Sequence, residues 1–161
     1  MVEGDTADPL RFDLDALEGI DAFQRGTYAL RGLASRVQWG TDYQTFTVRI
    51  ARSNGSLTEF EKRLEVLHHL EQGYLYPFWT IQAYVSRPGG VFYSVGATRT
   101  TDLYRFIEQC AREGTPLEQK QAGNGGETFL IVPWDTYLAA GLDLFHYVSP
   151  ESPAHLNKKE L

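Results

Sequence analysis

The alternation of apolar and polar positions is clearest between Phe78 and Arg99, where two strand-like runs flank a turn. Both runs are rich in β-branched and aromatic residues, which favour strands. The turn, residues 87–90, reads RPGG, in which proline fixes φ and glycine accepts positive φ. This pattern predicts a β-hairpin with strands over 78–87 and 90–98.

An amphipathic helix is predicted on each side of this hairpin. The first, over 57–72, begins at the capping-box sequence SLTE (residues 56–59) and carries leucine and phenylalanine at helical spacing. The second, over 102–113, has apolar residues at positions i, i+3, i+4, i+7 and i+8 counted from Leu103. Glycine, a common residue just beyond helix ends, follows both segments.

One further strand is predicted beyond each helix, over 44–52 and over 128–133, which gives the order β-α-β-β-α-β. With right-handed crossovers, this order predicts an α+β fold, a ferredoxin-like sandwich with an antiparallel sheet. In that sheet the first strand lies between the fourth and the third. An extra N-terminal strand over 27–37 would form a hairpin with the strand at 44–52 or fold over an edge of the sheet.

The length of 161 residues fits one domain that buries its own core. We expect a disordered acidic start at 1–9, a single α+β domain over 10–148 and a flexible tail over 149–161. Within the domain, a short helix is predicted at about 14–24 and a polar, Gly-rich loop at 115–127. With no apolar run of membrane-spanning length and no signal-peptide layout, the sequence favours a cytoplasmic protein without a membrane partner.

The negative charge of the chain is concentrated at its N-terminus. Seven of the 21 acidic residues lie in residues 1–21, beside one of the 15 basic residues. The rest of the chain is balanced, which argues against broad binding to a phosphate backbone. The acidic segment fits either a solubilising arm or contact with a basic protein partner. For such a partner the candidate contact residues are Asp13, Asp15, Glu18 and Asp21.

Metal and thiol chemistry have weak support in the sequence. Glu65 and His69 are one helical turn apart, but a zinc site needs a third ligand, which is missing nearby. Cys110 lies on the apolar stripe of the second helix, near the C-terminal end, where nothing lowers the pKa of a thiol. We therefore predict a solvated helix face and a core cysteine, with no metal, cofactor or catalytic residue.

Aromatic residues define the candidate binding surface. The period of two places Phe78, Tyr84 and Phe92 on the sheet face that the helices of a ferredoxin-like fold leave open. An aromatic face with little charge typically binds protein, whether a partner, a second copy through the sheet, or the chain's own N-terminal segment. Alternatively, these rings could stack the bases of a single-stranded nucleic acid. A second alternative is a small enzyme with a site in loops 35–43 and 115–127.

Two further features carry a family resemblance. The sequence NGSL at 54–57 initiates the first helix and is followed by Glu59 and Glu61, and the strand at 90–94 reads GVFYS. With these features, the chain between Phe46 and Gly114 resembles a bacterial ferredoxin-like domain family akin to the regulators that inhibit ribonuclease E. The resemblance implies a ferredoxin-like fold and a regulatory, non-enzymatic role. The sequence thus favours a protein-binding regulator or inhibitor of the immunity or antagonist type.

Overall fold

The structure is a computed structural model that describes residues 22–25, 30–52, 54–70, 76–122 and 126–153. These residues form a mixed α+β fold with two β-sheets. The helices are α1 (Glu59–His68), α2 (Thr100–Glu113) and α3 (Trp134–Ala139). The strands are β1 (Ala22–Arg25), β2 (Leu30–Trp39), β3 (Thr45–Arg52), β4 (Pro77–Val85), β5 (Phe92–Arg99), β6 (Gln119–Gln121), β7 (Glu127–Pro133) and β8 (Phe145–Val148).

The strands divide into a larger and a smaller sheet. The larger sheet has five strands in the spatial order β1-β2-β4-β5-β8, and the smaller has three in the order β3-β7-β6. The pair β2–β4 is parallel, and the other pairs of described strands are antiparallel. The predicted hairpin is present as β4–β5, the predicted helices as α1 and α2, and the predicted flanking strands as β3 and β7.

The α+β class is confirmed, but the ferredoxin-like topology is not. Two of the pairs that this topology requires are present, β3 with β7 and β4 with β5. The parallel pair of β3 with β5 that would join them is missing, because β5 lies between β4 and β8. The other edge of β4 is occupied by β2, so neither strand of the hairpin has an edge free for β3. The predicted extra strand therefore lies inside the larger sheet rather than beside β3.

The first helix begins later than predicted. Thr58, and not Ser56, is the N-cap residue, because its hydroxyl accepts the backbone N–H of Glu61 (3.4 Å). The Glu61 carboxylate in turn accepts the backbone N–H of Thr58 (2.8 Å), which completes a capping box. The described helix also ends at His68, earlier than the predicted 72.

The two sheets and α2 enclose the core. Its buried apolar residues are Phe46, Val48, Tyr84, Leu103, Tyr104, Phe106, Ile107, Cys110, Leu130, Val132, Trp134 and Tyr137. They come from one face of the smaller sheet, from α2 and α3, and from β4. The core therefore lies on one side of the larger sheet and leaves the other side outside it.

Side chains of β4 replace the missing strand pairing at the edge of β3. The Tyr84 hydroxyl donates to the carbonyl oxygen of Thr45 (2.8 Å) and accepts the Thr45 backbone N–H (3.2 Å). Two residues further along β3, the Thr47 hydroxyl donates to Gln82 Oε1 (3.1 Å). Backbone groups buried at a strand edge need hydrogen-bond partners, and the Tyr84 hydroxyl supplies them for the N–H and C=O of Thr45.

Two terminal predictions meet the described residues only in part. The helix predicted at about 14–24 cannot extend through its last residues, since β1 begins at Ala22. Of the predicted tail, residues 149–153 are described, and Ser152 is buried there. The Ser152 hydroxyl donates to Asp42 Oδ2 (2.5 Å), so this part of the chain packs against the domain.

Three buried tyrosines should make the fold sensitive to alkali. Burial raises the pKa of Tyr84, Tyr104 and Tyr137, whereas a tyrosine in an unfolded chain titrates near pH ~10. The unfolded state thus loses protons first, and stability falls as pH rises above about 10. We expect phenolate absorbance to show these three of the nine tyrosines ionising only on alkaline unfolding. Ionisation of all nine while near-ultraviolet circular dichroism stays native would contradict this expectation.

Candidate functional site

A β-bulge separates the aromatic residues that the sequence placed on one face. Tyr84 pairs with Ser94, but Val85 pairs with Phe92, so Tyr93 is an inserted residue in β5. One inserted residue reverses the alternation of side chains between the two faces of a strand. Phe92 therefore lies on the opposite side of the sheet from Tyr84.

The expectation that Tyr84 lies on an open face is wrong. Its side chain is 0% exposed and its ring packs edge-on against Trp134, with the centroids 6.0 Å apart. Phe78 follows the same alternation in β4 and is half-buried. Of the three predicted aromatic contacts, Phe92 is the exposed one. Gln82 lies on the same side of β4 as Tyr84. Its polar side chain is typical of a solvated face, but here it is buried and accepts a hydrogen bond from Thr47 of β3.

The predicted acidic contacts, Asp13, Asp15, Glu18 and Asp21, lie outside the described residues. The described chain resumes at β1, which is an edge strand of the larger sheet. The acidic segment therefore joins the domain at a margin of that sheet.

The side of the larger sheet that faces away from the core carries a continuous apolar surface, which we call the outer face. Pairing aligns Val37 with Ala83 and Trp39 with Val85, and, across the sheet, Val95 with Tyr147. The members of the outer face are Val37, Trp39, Trp79, Ile81, Ala83, Val85, Phe92, Val95, Ala97, Phe145 and Tyr147.

Two aromatic pairs order the rings of the outer face. Phe92 stacks on Tyr147, with centroids 6.1 Å apart and ring planes at 22°. Trp79 meets Phe145 edge-on at 5.7 Å. Each pair contains one residue of β8, so this short strand fixes rings that belong to the hairpin. Phe145 and Tyr147 were not among the contacts predicted from the sequence, although their alternation in FHYV is the signal that identifies them.

The aromatic rings of the outer face are accessible. Phe145 is 66% exposed, Tyr147 56%, Trp39 52% and Phe92 39%. Helices α2 and α3 pack into the core on the opposite side of the sheet. No described residue therefore covers the aromatic end of the outer face.

The second candidate site is a concave one, which we call the cleft. It lies between the end of β2 and the side of the smaller sheet that faces away from the core. Its volume is about 700 Å³, and it is lined by residues 36–38, 43–45, 118 and 120–122 together with parts of β3 and β7 and Asp135 of α3. The loops at 35–43 and 115–127, which the sequence offered as an alternative enzyme site, thus meet at one cleft.

Cations and aromatic rings stand together in the cleft. The Arg36 guanidinium lies over the ring of Phe129 at 5.1 Å, and Lys120 Nζ lies 5.2 Å from the ring centroid of Tyr43. Burial lowers the pKa of Arg36, and the nearby Glu59 carboxylate partly opposes that effect. A guanidinium remains protonated despite such a shift, so Arg36 brings a positive charge to the cleft.

Catalytic groups are sparse in the described structure. The residues that line the cleft include no histidine, cysteine or serine. The described ranges contain no group of three or more His, Cys, Asp and Glu side chains arranged to hold a metal ion. Cys110 is buried, and burial raises the pKa of its thiol. His68 Nε2 lies 2.8 Å from Glu108 Oε1, which links α1 to α2, while His69 and Glu65 are exposed.

Within the part of the chain that the structure describes, no helix is long and apolar enough to cross a membrane. Comparison with protein-family models, curated proteins and solved structures finds nothing that matches this chain. The outer face and the cleft are therefore the features on which a function can be argued.

Proposed function

We propose that the protein is a non-enzymatic regulator or inhibitor that binds another protein through the outer face. The observation that carries this proposal is an inverted pattern in the β4–β5 hairpin. Its core side buries polar residues, among them Gln82, Ser94 and Thr98, while its apolar side faces away from the core. Large exposed apolar surfaces are uncommon on monomeric proteins and mark interaction sites.

The aromatic pairs supply suitable anchors for an interface. Phe92 with Tyr147 and Trp79 with Phe145 are already held in place by their mutual contacts. Ordered rings lose little conformational entropy when a partner covers them, which favours affinity. Aromatic side chains are also the residues that most often dominate the energy of protein interfaces.

The charge of the N-terminal segment indicates the kind of partner. Seven acidic residues precede Ala22, the first residue of the edge strand β1. The segment that carries these carboxylates is continuous in sequence with β1, an edge strand of the larger sheet. The partner that fits is a protein with an apolar patch flanked by basic residues. At low salt, the acidic segment would raise the rate at which the two proteins associate.

The resemblance to regulators of the ribonuclease E inhibitor type supports the same role. The element order β-α-β-β-α-β and the pairs β3–β7 and β4–β5 agree with that resemblance. The single cysteine fits a reducing, cytoplasmic setting.

The competing function is binding of single-stranded nucleic acid. Phe92 and Tyr147 offer accessible rings on which bases could stack. The described residues offer little free basic charge around them, since Arg99, which lies on the same side of β5 opposite Trp79, is paired with Asp102 at 2.7 Å. Nucleic-acid affinity rests chiefly on basic groups that contact phosphates, so protein binding is the better supported function.

The proposal is tested by isolating partners from the native cell and then measuring the affinity of the purified, identified partner. We expect the Phe145→Ala/Tyr147→Ala variant to lose about tenfold or more in affinity, because truncated aromatic anchors are costly. A variant lacking residues 1–21 should bind more slowly, with a weaker dependence of the association rate on salt.

Leu57→Ala/Leu138→Ala is the matched control, because both leucines are exposed but lie off the outer face. This control should leave affinity unchanged, and an equal loss in both variants would contradict the assigned surface. Micromolar binding of single-stranded oligonucleotides that Phe92→Ala abolishes would favour the nucleic-acid function instead. A concentration-dependent dimer that Phe145→Ala/Tyr147→Ala dissociates would make a second copy of the chain the partner.

A further inference from the structure

We propose that the cleft binds a small organic anion, a carboxylate or phosphate on an apolar body, through Arg36 and Lys120. The cleft volume of about 700 Å³ lies within the range of small-molecule sites, roughly 300–1,000 Å³. This site is separate from the aromatic end of the outer face and goes beyond the proposed protein-binding function.

Arg36 is held in position with donors to spare. Its Nη1 donates to Thr47 Oγ1 (3.3 Å), and its Nη2 lies 3.5 Å from Glu59 Oε2. Thr47 is itself fixed by its bond to Gln82, so the guanidinium rests on an ordered support. A guanidinium has about five N–H donors, and these contacts occupy two. The Arg36 side chain is 28% exposed, which leaves the remaining donors for solvent or a ligand in the cleft.

Lys120 supplies the second cation from the opposite wall. Its ammonium group lies over the Tyr43 ring, and among the described residues no carboxylate comes within ion-pair distance of it. A cation over a ring keeps most of its N–H donors available. Strand pairing places Lys120 beside Phe129, the residue whose ring the Arg36 guanidinium contacts. The two cations therefore flank the same part of the cleft.

Neighbouring charges make Arg36 and Lys120 the cations best placed for an anion. Arg49 also approaches the Phe129 ring, at 5.6 Å, but its Nε lies 3.3 Å from Glu127 Oε1. That carboxylate offsets the charge of Arg49. Arg36 is also paired, with Glu59 at 3.5 Å, but Arg36 lines the cleft and Arg49 does not.

Two carboxylates limit the size and charge of the ligand. Glu118 and Asp135 also line the cleft, and Asp135 is fixed by accepting the backbone N–H of Thr136 (2.7 Å). Like charges across a binding site exclude competing ligands, so these groups disfavour a polyanion such as a nucleic acid. Ile131 and Pro133 provide apolar walls for the body of the ligand. The geometry therefore fits a small molecule with one anionic group.

The test uses flat aromatic probes that differ only in their head group: 1-naphthoate, 1-naphthyl phosphate, the neutral 1-naphthalenemethanol and the cationic 1-naphthylmethylamine. Titration of isotope-labelled protein should show saturable amide shifts at Thr47, Phe129 and neighbouring residues with one or both anions. The neutral and cationic probes should bind about tenfold more weakly, the scale of a charge-assisted hydrogen bond. The stronger of the two anions distinguishes a carboxylate ligand from a phosphate ligand.

Lys120→Gln carries the mutational test, because Lys120 is exposed and its replacement spares the packing. It should weaken anion binding several-fold, whereas Arg105→Gln, which removes an exposed cation on α2, should not. Arg36→Gln should weaken binding further, with circular dichroism as the check that the variant folds. Equal affinity for all four probes, equal effects of Lys120→Gln and Arg105→Gln, or the absence of saturable shifts would each overturn the proposal. Because Phe145→Ala/Tyr147→Ala should leave anion binding intact, failure here is distinct from failure of the protein-binding function.

Discussion

Replacing Tyr84 with alanine is expected to lower the free energy of unfolding by about 3–5 kcal/mol, the range for truncating a buried aromatic residue. The ring lies between the two sheets, with its centroid 6.0 Å from that of Trp134 and 6.4 Å from that of Tyr43. Truncation would leave a cavity and remove the hydroxyl that satisfies the backbone of Thr45. Urea denaturation followed by fluorescence and circular dichroism measures the loss.

Tyr84→Phe separates the hydroxyl from the ring. It keeps the packing but leaves the buried N–H and C=O of Thr45 without this partner, which should cost about 1–3 kcal/mol. Tyr147→Ala is the control, since Tyr147 is exposed on the outer face. It should change stability by less than about 1 kcal/mol. If Tyr84→Ala costs no more than this control, Tyr84 does not join the two sheets.

Local signals in the sequence were sufficient to predict the main elements. The turn at 87–90 and the alternation beside it predicted the hairpin, a capping box with an apolar stripe predicted α1, and an apolar stripe predicted α2. These signals depend on residues within a few positions of one another, so the sequence contains them directly. The shift of the capping box from Ser56 to Thr58 shows their precision, because both residues offer a hydroxyl and a nearby glutamate.

The sheet topology could not be predicted in the same way. The parallel pairing of β2 with β4 joins residues that are more than forty positions apart, such as Leu33 and Trp79. The β2 sequence contains no feature that favours pairing with the edge of β4 over pairing with the edge of β3. Because β2 occupies the edge of β4, β3 is excluded from the larger sheet. Hydrogen bonds between the β4 side chains of Tyr84 and Gln82 and residues Thr45 and Thr47 connect β3 to that sheet instead.

An exposed aromatic sheet face was predicted from the sequence, but not all of its predicted residues lie on that face. An open aromatic sheet face with Phe92 was expected and is present, yet Tyr84 lies on the core side, and the bulge at Tyr93 places Phe92 on the opposite side of the sheet from it. A bulge changes alternation without a distinctive residue, and here the inserted position is another aromatic. The polar side chains that line the core side, such as Thr98, gain their partners from distant elements: Tyr137 Oη at 2.9 Å and the carbonyl oxygen of Asp143 at 2.9 Å. Periodicity alone cannot foresee partners of that kind.

Gly96 is the position at which the smallest substitution should have a large effect. It lies on the core side of β5, and a Cβ added there would meet the Trp134 ring at 2.6 Å. Trp134 is buried and is packed between Phe46 and Tyr84, with centroids 6.0 Å away on both sides. The ring therefore has little room to move, and glycine at this strand position permits the close approach. Gly96→Ala should reduce the free energy of unfolding by about 1–3 kcal/mol through overpacking.

A double-mutant cycle with Trp134→Phe identifies the cause of the Gly96 effect. The smaller ring should relieve the clash, so Gly96→Ala/Trp134→Phe should be more stable than the sum of the single losses predicts, by about 0.5–3 kcal/mol. Ala97→Val adds bulk to the same strand on the outer face and should stay within about 0.5 kcal/mol of wild type. Strict additivity of the two core substitutions in urea denaturation would show that Trp134 does not determine the glycine at position 96. A coupled result would establish that the inward packing of α3, through Trp134, requires the small residue at position 96 of β5.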